Sequence, residues 1–132
     1  MDDVGLVTIE SRHPMAETRA LLEAALNNKG VTVFARIDHA AGAHAAGLQL
    51  RPTVLVIFGD ARAGTPLMQG DQRAGLDLPL KALVWEDGMG RAFVSYNDPR
   101  WIARRHSLTG DAAEAAQRLA ATLDGLAKAV AT

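Results

Sequence analysis

Leu80-Lys81-Ala82-Leu83-Val84-Trp85-Glu86, then Asp87-Gly88-Met89-Gly90, then Arg91-Ala92-Phe93-Val94-Ser95-Tyr96 is the stretch that decides the fold. Two runs rich in β-branched and aromatic residues flank four residues whose glycines supply the positive φ angles of a tight turn. The stretch therefore predicts an antiparallel hairpin. An isolated hairpin is marginal in water, so it needs further strands and a cover.

The flanking sequence offers both. Upstream, Thr53 to Phe58 is apolar at nearly every position and follows Pro52, which fits a central strand covered on both faces. Val31, Val33, Ala35 and Ile37 alternate with Thr32, Phe34, Arg36 and Asp38, predicting a second strand with one aromatic ring on its polar side. That ring needs a neighbour. Leu6 to Glu10 alternates in the same way and predicts the first strand. Between these, Pro14 suits a first helical turn, Thr18, Leu21, Leu22, Ala25 and Leu26 recur at helical spacing, and Gly30 marks the end. Ala40 to Gly47 predicts one helical turn, too short for the core.

Gly64-Thr65-Pro66 reads as a loop, an N-cap and a first-turn proline, so a short helix is expected to begin at Pro66. Downstream of the hairpin, Asp98 caps a helix running from Pro99 towards His106. Asp111 and Glu114 form a capping-box pattern opening an amphipathic helix over about 111–131. Its stripe is Ala115, Leu119, Leu123, Leu126 and Val130, with Glu114/Arg118 and Asp124/Lys128 paired outside. The order predicts one domain over 1–132. Its class is α+β, a two-layer sandwich with one mostly antiparallel sheet of about five strands and helices packed mainly on one face.

With 132 residues the chain supports one core. Fourteen Lys and Arg against fifteen Asp and Glu leave a net charge of −1, which offers no basic face for nucleic acid. There is no cysteine, which removes disulfides, zinc-thiolate sites and thiol nucleophiles and suits a cytoplasmic location. The acidic start Met1-Asp2-Asp3-Val4-Gly5 lacks the build of an export signal, and no apolar run approaches a membrane span.

Several pieces taken in order resemble the bacterial and archaeal family of domain of unknown function 302. They are Ile37-Asp38-His39-Ala40-Ala41, Leu50-Arg51-Pro52, Ile57-Phe58-Gly59, Gly64-Thr65-Pro66-Leu67-Met68, Asp77-Leu78-Pro79-Leu80-Lys81, Val84-Trp85-Glu86-Asp87 and Ser95-Tyr96-Asn97-Asp98-Pro99. The resembling region spans about residues 6 to 108. Asp60-Ala61-Arg62 departs from the pattern, which is closer to Asn-Pro-Lys, while keeping the positive charge at Arg62. The resemblance implies a small two-layer domain that forms dimers, without an established activity.

Arg62, Gly64 and Thr65 follow the central strand and precede the expected helix start. Free N–H groups, the positive dipole end and a guanidinium would together suit a small anionic molecule. The loop lacks a Gly-Lys-Ser/Thr ending and a dinucleotide fingerprint, so no cofactor is expected. His39 and His44 are five apart and no carboxylate completes a set with His13 or His106, so no metal site is expected either. His39, Asp98 and His106 are the candidates for acid-base catalysis. With helices on one face, the other sheet face exposes apolar area whether Lys81, Leu83 and Trp85 or Leu80, Ala82 and Val84 point outward. An apolar face of that kind predicts a homodimer. The expectation is therefore a cytoplasmic homodimeric module binding a small anionic ligand near Arg62, Gly64 and Thr65, with a small acid-base enzyme or a protein-interaction domain as alternatives.

Overall fold

The computed structural model describes residues 4–132, so the reading of Met1-Asp2-Asp3 falls outside the described residues. Strands β1 (Leu6–Glu10), β2 (Thr32–Asp38), β3 (Thr53–Gly59), β4 (Leu80–Glu86) and β5 (Ala92–Asn97) form one sheet in the order β1-β5-β4-β3-β2. All four pairings are antiparallel. The expected hairpin is present, with Trp85 opposite Phe93 and Val84 opposite Val94.

Helices α1 (Met15–Asn28), α3 (Ala61–Gly70), α4 (Pro99–Arg105) and α5 (Gly110–Ala131) pack as one layer, while α2 (His39–Ala45) buries no residue. Period-two alternation decides which sheet face they cover. Val54, Val56 and Phe58 of β3, Ala82 and Val84 of β4, and Val94 and Tyr96 of β5 are buried against Leu22 and Leu26 of α1 and Leu123, Leu126 and Val130 of α5. Each large side chain so covered contributes about 1.5–3 kcal/mol. A second cluster, with Leu67, Ile102, Ala115 and Ala116, joins α3, α4 and α5. The last helix thus packs on its own domain, and Lys81, Leu83 and Trp85 are the set that faces away from the helices.

Three local expectations are corrected. The third helix starts at Ala61, not Pro66: the Asp60 side chain caps it by accepting from the Arg62 N–H at 2.9 Å. Pro66 therefore lies inside the helix, where its missing N–H leaves the Arg62 carbonyl without its usual donor. No capping box opens α5. Thr109 is its N-cap without a side-chain cap bond, and Asp111 lies in the first turn, where its charge meets the helix dipole. Asp124 is turned to Tyr96 and Arg100 instead of Lys128.

The third correction concerns β2. A β-bulge between Val33 and Ala35 shifts the register, so Val33 pairs with Phe58 but Ala35 pairs with Ile57 and Ile37 with Leu55. Ala35 and Ile37 consequently leave the helix side for the open face, and Arg36 takes their place. The extra residue is Phe34, 57% exposed, whose ring lies against Gly59.

Candidate functional site

The end of β3 builds the site. Asp60 leaves the strand in an extended conformation, and its carbonyl accepts from the N–H groups of Ala63 and Gly64 at 2.9 and 3.0 Å, winding α3 directly onto the strand end. A cavity of about 340 Å³ lies at this strand-to-helix turn. Its walls are Phe34 from β2, Gly64, Thr65 and Met68 from α3, Leu78, Pro79 and Leu80 entering β4, and Leu119 from α5. Gly59, Asp60, Ala61, Ala63 and Gly75 complete it.

Small residues keep the space open. A Cβ at Gly59 would stand 3.3 Å from the Phe34 ring, and one at Gly75 would stand 3.1 Å from Met68 Sδ. Gly64 has more room, since a Cβ there would meet only Leu78 Cδ1, at 3.9 Å. The bulge in β2 brings Phe34 to the rim, the usual effect of a bulge on a side chain beside a site.

Of the residues expected to hold a ligand, Gly64 and Thr65 line this cavity and Arg62 does not. The Arg62 side chain is 93% exposed, lies 3.6 Å from Asp60 and borders, with Arg118, a separate shallow depression. Gly64 offers no free N–H, because it bonds to the Asp60 carbonyl within the helix. Asp60 is the charged residue among those lining the cavity.

The acid-base candidates stand in three different places. His39 opens α2, exposed, beyond the end of β2 where Asp38 pairs with Val54, whereas the cavity lies at the opposite end, where Thr32 pairs with Gly59. Asp98 caps α4 by accepting from the Arg100 N–H at 2.9 Å and also accepts from Arg100 Nε at 3.0 Å. Arg100 Nη2 continues to Asp124 at 3.0 Å, and Asp124 in turn accepts from the Tyr96 hydroxyl. Burial, then this hydrogen bond, pushes the Tyr96 phenol above its usual value.

His106 faces Asp77, not Asp98, and Arg105 Nη1 donates to the second oxygen of Asp77 at 2.7 Å. Arg105 and His106 border a shallow open cleft with Arg73 and Leu76. Arg73 is engaged with Asp71, and its side-chain and backbone hydrogen bonds hold that carboxyl down at about 2. Arg73, Arg105 and His106 thus each have a carboxylate partner.

The sequence reading missed Leu78, Pro79, Leu80 and Leu119 as cavity walls and Asp77 as the partner of His106. Phe34 carried a signal, as an aromatic residue on an otherwise polar strand side. The pairing of Asp77 with His106 carried none, being made across 29 positions.

Comparison with known proteins places the chain in a family. The family described as "Domain of unknown function DUF302" matches residues 7–126, and the chain belongs to it. The crystal structure of an uncharacterized conserved DUF302 protein from Bacillus stearothermophilus superposes with a TM-score of 0.87, covering 98% of this chain and 100% of that one at 18% identity. That likeness establishes the shared fold. Two curated relatives are the fluoride-specific ion channel FluC 1 of Brucella suis biovar 1 (strain 1330) and FluC 2 of Brucella melitensis biotype 1 (strain ATCC 23456). Each is 55% identical over 106 residues, or 80% of this chain. The matched segment is 42% and 39% of those proteins, so the chain spans about two fifths of the curated relatives it matches. No helix among the described residues is long and apolar enough to cross a membrane.

Proposed function

We propose that this chain is a small-molecule-binding module rather than an enzyme, and that its ligand occupies the cavity at the β3–α3 turn. The observation that carries this reading is the cavity itself, about 340 Å³, half open to solvent and lined by residues from β2, α3, β4 and α5. A concave, mostly apolar space at a strand end is where small ligands bind, and its size falls in the usual range. Acid-base catalysis would need His39, Asp98 or His106 to share a cleft. Their separation favours binding without turnover.

The relatives add a setting. In the Brucella proteins named as fluoride channels, the segment similar to this chain makes up about two fifths of the length. We propose that the domain serves as a cytoplasmic accessory that senses a ligand beside such partners, in keeping with the absence of cysteine. The test is a thermal-shift screen of small metabolites on the wild type and on Gly64→Leu, whose added side chain fills the cavity. A stabilising ligand that loses its effect in the variant supports the reading. A ligand that stabilises both equally, or a flat screen with both proteins folded, removes it.

A second reading rests on a different observation. Leu55, Ile57, Leu83, Trp85 and Phe93 point away from α1 and α5 and lie half-buried on the opposite sheet face. Trp85 stacks on Phe93 with ring centroids 4.6 Å apart, and its Nε1 donates to Ser95 at 2.9 Å. This ordered apolar face supports a homodimer formed face to face. Sedimentation should give a dimer for the wild type and a folded monomer for Leu83→Lys. A wild type that sediments as a monomer at high concentration would remove this reading.

A further inference from the structure

We infer that the cavity takes an uncharged molecule with an apolar body and one hydrogen-bonding head group, and disfavours an anion. The inference rests on the binding-module reading and names the ligand class of that site.

Three observations converge on it. Phe34, Met68, Leu78, Pro79, Leu80 and Leu119 give the walls an apolar surface, which rewards an apolar body and penalises a charge left without a partner. Among the described residues no cation lines the cavity, since Arg62 turns outward with its side chain 93% exposed. Asp60 is the charged lining residue, and its carboxylate would repel a bound anion. That carboxylate is not a free counter-ion for a cation either. It accepts from the Arg62 N–H at 2.9 Å, sits 3.6 Å from the Arg62 guanidinium and caps the positive end of α3.

One uncharged polar side chain lines the cavity. The hydroxyl of Thr65, which lines the cavity, has no hydrogen-bond partner among the described residues. It can donate or accept, which matches an alcohol or amide head.

Titration calorimetry with three probes of one chain length tests this: 1-octanol, octanoate and octylamine at neutral pH. The expected result is octanol binding at least tenfold more tightly than either charged probe, with Gly64→Leu abolishing it. Asp60→Asn keeps a good helix cap while removing the like charge, so it should raise octanoate affinity severalfold and leave octanol unchanged. Octanoate binding best to the wild type, or no response to Asp60→Asn, overturns the inference while leaving the binding module standing. Absence of octanol binding also overturns it, and the module reading is then decided separately by whether any ligand from the metabolite screen is lost in Gly64→Leu.

Discussion

His106 Nε2 lies 2.6 Å from Asp77 Oδ2, with the two side chains only 8% and 12% exposed. The contact ties the end of α4 to the 3₁₀ helix Gln72–Asp77, which also carries Gly75 at the cavity wall. Arg105 holds the other Asp77 oxygen. The carboxylate is therefore a polar clamp between two short elements whose Ala74, Ile102 and Ala103 also meet in one apolar cluster.

Removing one partner of such a pair leaves the other poorly solvated. Asp77→Ala is expected to lower unfolding free energy by about 1–3 kcal/mol, the cost of leaving the buried His106 ring nitrogen without its hydrogen-bond partner. Urea titration of both proteins checks this. His106→Ala should cost a similar amount, and the double variant should cost less than the two added together, because each single change removes the same contact. Strict additivity would mean that the contact does not form in solution.

Tyr96 gives a pH prediction with a built-in reporter, since it is the sole tyrosine of the chain. Its phenol is raised above the usual value, first by burial and then by donating to Asp124. A raised folded-state value means that the unfolded chain loses its phenolic proton first. The contribution of Tyr96 is thus complete below about pH 10 and is lost as pH rises further. Tyrosinate absorbance of the native protein should stay low above that pH and appear on unfolding. In Tyr96→Phe, stability should fall less steeply with alkali. A native protein that ionises near pH 10 would contradict the arrangement.

The outer wall of the cavity separates binding from stability. Phe34 is 57% exposed and projects from a bulge, so Phe34→Ala should cost less than about 1 kcal/mol. Affinity for any cavity ligand should nevertheless fall, because the ring closes one side. Thermal melting and calorimetry on the same variant distinguish the two effects. Unchanged affinity would place the ligand elsewhere.

What was legible in the sequence follows from how local the cause is. The hairpin over β4 and β5 was readable from two strand-like runs around Asp87-Gly88-Met89-Gly90, although of its two glycines Gly90 alone takes the positive φ expected of both. So was the Asp98 cap, whose acceptor and donor are two residues apart. The start of α3 was obscured because Pro66 is a strong first-turn signal, while the Asp60 cap five residues before Thr65 competes with it. The bulge at Phe34 depends on how β2 meets β3, and an alternating pattern carries no register of its own. Gly64 and Thr65 were singled out for a local reason, the expected helix start, whereas Leu119 reaches the cavity wall only once the whole fold is in place.

Two glycines of α3 should respond in opposite directions to the same substitution. At Gly64 a Cβ meets only Leu78 Cδ1 at 3.9 Å, an ordinary contact, and the backbone is helical. Gly64→Ala should therefore stabilise by about 0.5–1 kcal/mol, through the smaller backbone entropy lost on folding. At Gly70 a Cβ would fall 2.6 Å from the Cβ of Ala112 and 3.1 Å from Leu108 Cδ2. The obstacle is a methyl fixed directly to the α5 backbone, so relief requires α3 and α5 to separate. Gly70→Ala should destabilise by about 1–3 kcal/mol despite the same gain in helix propensity. Melting temperatures that rise for both variants would show that α3 and α5 do not approach so closely at this crossing, because propensity alone gives the two positions the same sign.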